Sequence, residues 1–199
     1  MAIKSEREYR SISLTEFRTE KTEDNEYIVE GYATTFGDEY VLWDEGDVQY
    51  KEVIDRDAFD GADMKDVVFL YNHEGMVYAR TRNGSLSLSI DDHGLKVRAN
   101  LGLTEAARQM WETINAGLVD QMSWAFTVKE QKYNKQTHLR TITKVKKAYD
   151  VSAVTFPANP ATEIATRSYL DGVIESERAE RLELRKRQLA LKLKTIKGE

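Results

Sequence analysis

Ser85-Leu-Ser-Leu-Ser-Ile-Asp-Asp-His-Gly-Leu-Lys-Val-Arg-Ala-Asn-Leu101 decides the class of fold. Apolar residues recur at every second position, Leu86, Leu88, Ile90 and then Leu95, Val97, Ala99, Leu101. That is the period of a half-buried strand. Asp91-Asp-His-Gly94 between the two runs reads as a tight turn, with Gly94 supplying a positive φ. The stretch is therefore a β-hairpin. Strand signals continue on both sides of it. Residues 27–36 are rich in β-branched and aromatic side chains, 48–54 form a second run, and Val67-Val-Phe-Leu-Tyr71 is a short apolar run suited to a buried strand. Residues 121–129, 139–146 and 149–156 read as three more strands, and 9–14 as a further one in a polar arm.

Helical period appears in two places. Ala106, Ala107, Met110, Trp111 and Ile114 fall on one helix face, with Thr104 placed to cap its start and Gly117 to end it. A shorter helix is expected over 57–64, capped by Asp55 or Asp57. Pro157 and Pro160, which donate no ladder hydrogen bond, close the strand region. From 171 to 196 a long helix is expected, with Leu182, Leu189, Leu193 and Ile196 as one apolar seam among charged residues. Such a helix needs a partner surface to be stable. The chain reads as mainly β (α+β): a small antiparallel β-barrel or sandwich with a few flanking helices and a long C-terminal helix. It divides into an N-terminal arm (1–25), a β domain (26–160), and a linker with the charged helix (161–199).

Composition narrows the function. The 199 residues, 41 % hydrophobic and 32 % charged, suit one soluble globular domain. No run approaches the roughly 18 apolar residues of a membrane span, and Met1-Ala-Ile-Lys-Ser-Glu-Arg has no apolar core, so no secretory signal is expected there. The absence of cysteine excludes disulfides, thiolate metal sites and a cysteine nucleophile. Residues 170–199 carry 8 Lys/Arg against 6 Asp/Glu, whereas 1–169 carry 21 against 28. An acidic body repels phosphate, so no nucleic acid partner is expected. Scattered glycines make no phosphate loop, and His73, His93 and His138 show no metal-ligand spacing. Neither a cofactor nor a metal is expected.

Three residues could carry chemistry. His73 follows an apolar strand in Asn72-His73-Glu74-Gly75, where an imidazole facing a cleft could act as a general base and one facing outward is a surface-loop histidine. Ser123, between Met122 and Trp124, has a hydroxyl in apolar surroundings that must find a partner. Backbone would serve; so would a histidine, which would activate it as a nucleophile. Asp150 opens the run Asp-Val-Ser-Ala-Val-Thr-Phe156, although aspartate is disfavoured in strands. It could be a solvated strand end or the acceptor that orients a histidine. Ser152 competes with Ser123 as the serine, or packs between Val151 and Ala153. His93 reads as a turn residue and His138 as an exposed one.

The ordered set of landmarks resembles the prohead proteases of tailed bacteriophages, which are similar in fold to the herpesvirus assemblin serine proteases. The landmarks are Glu30-Gly31-Tyr32-Ala33 with Phe36, Glu52-Val-Ile54, Ala58-Phe59, Tyr71-Asn72-His73-Glu74, Gly84-Ser85-Leu86, Asp91–Leu95, Gly117, Met122-Ser123-Trp124-Ala125-Phe126 and Asp150–Ala158, and together they span about 26–160. The resemblance implies an assemblin-like barrel, a general base at His73, a nucleophile at Ser123 and a third member at Asp150, where the family often has glutamate. The herpesvirus relatives use a second histidine there, which keeps His138 as an alternative. Asp57 stands where the family often has glycine. The implied function is a maturation protease that works inside the immature capsid in the host cytoplasm. It would cut the scaffold segment from the major capsid protein, and also itself, with dimerisation as in the herpesvirus enzymes. A non-catalytic capsid-assembly protein on the same fold, and an unrelated β-barrel binding module, are the rival readings. Convergence of His73, Ser123 and Asp150 in space separates the first from the last.

Overall fold

A computed structural model describes residues 7–13, 18–23, 26–156 and 164–197. Pro157 and Pro160, Leu14 and the side chains of Leu193 and Ile196 lie outside the described residues. The strands up to the first α-helix are β1 (Glu8–Ser13), β2 (Arg18–Lys21), β3 (Tyr27–Thr35), β4 (Tyr40–Asp44), β5 (Gln49–Ile54), β6 (Val68–Tyr71), β7 (Glu74–Arg80), β8 (Leu86–Ile90) and β9 (Gly94–Asn100). Helix α1 (Glu105–Asn115), β10 (Gln121–Asn134), β11 (Leu139–Val154) and α2 (Ile164–Lys197) complete the order.

The hairpin 85–101 is β8 and β9, paired antiparallel from Leu86↔Ala99 to Ile90↔Leu95. Gly94 is needed there for another reason than the one expected. It is absent from the positive-φ residues. A Cβ at Gly94 would instead lie 2.1 Å from the Thr34 carbonyl oxygen, so glycine lets β9 approach β3. These strands belong to a four-stranded sheet in the order β2-β3-β9-β8.

The second sheet is mixed, not antiparallel, and it closes no barrel among the described strands. Its main path is β1-β10-β11-β5-β4, with β6 and β7 branching from β11. The two strands read at 139–146 and 149–156 are one long strand, β11. Residues 139–142 of β11 take β5 as a parallel partner, and 150–153 take β6 as another. Several register shifts along the β10–β11 hairpin bend it between these halves. The sheet therefore forks along β11, which prevents the circular strand path that the expected barrel requires. Strands β2, β4 and β7 had no clear alternation to reveal them; β2 shows at most half-buried side chains and the first half of β7 is exposed.

One core joins both sheets and α1. Val29 and Val97 meet Phe69, Trp124, Phe126 and Val151, together with the Ala107, Met110 and Ile114 face of α1. Burying each large side chain contributes roughly 1.5–3 kcal/mol. Helix α1 has the expected ends: Thr104 Oγ1 accepts the Ala107 N–H at 3.1 Å, and Gly117 follows the helix at φ 72°. The helix expected over 57–64 does not form. Asp55, Asp57 and Phe59 carbonyls accept from residues three further on, a series of turns, and Gly61 stands at φ 76°.

Helix α2 starts at Ile164, earlier than expected. Among the described residues, its contact with the body is made by side chains other than the seam's Leu182 and Leu189. Val173 and Ile174 pack with Leu42 and Tyr50, and Glu177 accepts hydrogen bonds from the hydroxyls of Tyr50 (3.2 Å) and Tyr133 (2.9 Å). Leu182 and Leu189 of the seam are more than half exposed.

Candidate active site

The imidazole of His73 sits on a two-residue turn between β6 and β7. Asn72 and His73 have φ of 50° and 63°, and Tyr71 pairs with Glu74 across them. Two successive left-handed residues match the right-handed twist of the flanking strands. Non-glycine residues pay for this conformation in strain, and asparagine and histidine tolerate it better than most. Asn72 ties the turn to the end of β11 and the residue after it: its N–H donates to the Ala153 carbonyl (3.0 Å), and its Oδ1 accepts the Thr155 N–H (3.1 Å).

Ser123 and Asp150 approach from neighbouring strands. In the β10–β11 ladder Ser123 faces Ser152 and Ala125 faces Asp150, so these residues share one sheet face. A register shift follows at once, between Ala125 and Phe126, and leaves Tyr149 without a counterpart. Such a bulge re-aims the side chains around it. Parallel pairing of β6 with β11 then carries the His73 turn over this face.

The three groups meet. His73 Nδ1 lies 2.6 Å from Asp150 Oδ1, and His73 Nε2 lies 2.7 Å from Ser123 Oγ. With an ionised carboxylate as acceptor, Nδ1 carries the proton and Nε2 accepts the hydrogen of the serine hydroxyl. Asp150 and Ser123 are buried, whereas the His73 side chain keeps 14 % of its surface exposed.

The other histidines lie elsewhere. His93 packs edge-on against Tyr32 in the β8–β9 turn. His138, at the end of the β10–β11 hairpin, lies 3.1 Å from Glu177 of α2 beside a cavity of about 410 Å³ lined also by Lys135 and Arg181. It is Asp150, not His138, that reaches His73. Among the described residues no cluster of three or more His, Asp or Glu side chains could hold a metal ion.

Residues 14–173 match the sequence model of the family described as caudovirus prohead serine protease. The chain belongs to this family. No curated protein and no solved structure matches it. A prohead protease acts with capsid proteins, and its place of work is the phage prohead. No described helix is long and apolar enough to cross a membrane.

Two contacts at this face of the prohead protease were not legible in its sequence. Tyr9, on β1, stacks edge-on against His73 at 4.6 Å between ring centroids. Ser152 donates its hydroxyl to Asp150 Oδ1 at 2.8 Å. Polar residues at alternate positions of a charged arm carry no signal that the arm will pair with β10, and a serine between valine and alanine reads equally well as packing.

Proposed function

We propose that the protein is a maturation endopeptidase whose catalytic triad is His73, Ser123 and Asp150, and that it removes the scaffold segment from the major capsid protein and also cleaves itself. The observation that carries this reading is the unbroken chain Asp150–His73–Ser123, with contacts of 2.6 and 2.7 Å. Ser123 Oγ attacks the scissile carbonyl carbon while His73 Nε2 takes its proton. The tetrahedral intermediate collapses, the C–N bond breaks, and His73 returns the proton to the leaving amine. Water then repeats the sequence on the acyl-enzyme. Asp150 holds the Nδ1–H tautomer throughout and stabilises the imidazolium. Ser123 is shielded in the structure, so a substrate carbonyl reaches it only after local opening. We also propose kinship in fold with the herpesvirus assemblins, a reading supported by the resemblance in the sequence.

The decisive variant is Ser123→Ala. Processing of the coat protein by the purified variant should fall by about 10⁶-fold, as for other triad nucleophiles, with its circular dichroism unchanged. Fluorophosphonate should label Ser123 of the native chain and nothing else. Normal processing by Ser123→Ala would exclude the triad.

A further inference from the structure

The chemistry above leaves one buried hydroxyl at the site unassigned. Ser152 is completely buried on β11, two residues beyond Asp150. The two side chains leave the same sheet face, and the Ser152 hydroxyl donates to Asp150 Oδ1 at 2.8 Å. This is the oxygen that receives His73 Nδ1–H at 2.6 Å. Both imidazole nitrogens are thus engaged by Asp150 and Ser123, and the contact found for Ser152 is with the carboxylate.

A carboxylate that is 3 % exposed is stable as an anion only if donors replace the water it has lost. Ser152 is such a donor. Its position also selects geometry: two donors converging on one oxygen fix the rotation of the carboxyl group about its own axis. A freely turning carboxylate would offer His73 either oxygen at varying angles, and the imidazole would lose its aim at Ser123. We infer that Ser152 is a positioning residue of this protease, acting through Asp150 to hold the His73 imidazole in line with the Ser123 hydroxyl. The inference rests on the triad reading. It assigns Ser152 no contact with substrate, and so it separates this serine from the nucleophile it competes with in the sequence.

The test uses the full chain and a peptide spanning a processing site of its coat protein. Ser152→Ala should lower kcat by about 10- to 100-fold, the range for a hydrogen bond to a charged group, and leave KM unchanged. In proton NMR the low-field resonance of His73 Nδ1–H should move upfield or vanish. Fluorophosphonate should still attach to Ser123. Ser152→Thr, which keeps a hydroxyl, should restore the resonance and most of kcat, and Ser152→Val, nearly the same size, should not. Equal kcat for the Thr and Val variants, or an unmoved resonance in Ser152→Ala, would overturn the positioning role while leaving the triad in place. Fluorophosphonate on Ser152, or full activity of Ser123→Ala, would instead overturn the triad and the inference with it.

Discussion

A single pair of backbone angles sets where the proposed base sits. Asn72 and His73 both have left-handed φ, and Asn72 links the turn to Ala153 of β11 and to Thr155 just beyond it. Replacing Asn72 by alanine removes the side-chain link and leaves a Cβ-bearing residue with less tolerance of that conformation. Asn72→Ala should therefore lose about 1–2 kcal/mol of stability in urea unfolding and also process its coat protein more slowly. Asn72→Gly should recover the backbone part of the stability but not the rate. Alanine and native chains of equal stability would show that the turn is not strained. Locally the sequence was informative here: Asn-His-Glu-Gly announces a turn after an apolar run. That the turn would face Ser123 was beyond the reach of this local stretch, because the two residues are 50 positions apart and meet only through strand pairing.

Strand β1 is the element whose role is most removed from its composition. Alternation sends Tyr9 toward His73 and sends Glu8 and Arg10 to the opposite face. There Arg10 Nε meets Glu52 Oε1 at 2.6 Å, Arg10 Nη2 meets Glu8 Oε2 at 2.6 Å, and Arg140 contacts Glu8 and Glu52 at 2.7 and 2.8 Å. All four are almost fully buried. Buried ion pairs add little net stability compared with apolar packing, yet losing one partner from such a cluster is costly, about 3–5 kcal/mol. Burial by itself would push the Glu8 carboxyl up, but hydrogen bonding and charge from Arg140 and Arg10 outweigh it and hold the group at about 2 against an ordinary 4.5. The folded value lies below the unfolded one. Glu8 thus stabilises the protein above pH about 4.5, and this contribution is lost as pH falls toward about 2. Thermal melting should accordingly fall through that window, and Glu8→Gln should melt lower at neutral pH with a shallower decline in acid. Parallel melting curves for the two proteins would refute the assignment. An arm of alternating charges reads as solvated, since only pairing with β10 brings the acids and bases together out of water.

At the scale of the whole molecule, α2 is anchored to the body through residues in its first half. Val173, Ile174 and Glu177 anchor it, while Leu182, Leu184, Leu189 and Leu191 stand exposed on the segment that follows. Truncation after Arg181 keeps the anchor and should leave peptide cleavage unchanged, while incorporation of the protease into proheads falls. Equal loss of cleavage and incorporation would mean that the distal helix supports the fold. Helix α1 with its caps, the 85–101 hairpin and most of the buried strands were readable from the chain itself, because period, capping and turn chemistry act over a few neighbours. For His73, Ser123 and Asp150 the local sequence offered two readings each, and only the resemblance joined them into one site. The fork of the large sheet, the pairing of β1, the turns in place of a helix at 57–64, the anchor of α2 and the hydroxyl of Ser152 on Asp150 were decided only in three dimensions. Each depends on strand pairing across long separations, and that pairing is selected by burial and hydrogen-bond satisfaction over the whole domain, which no local window of sequence contains.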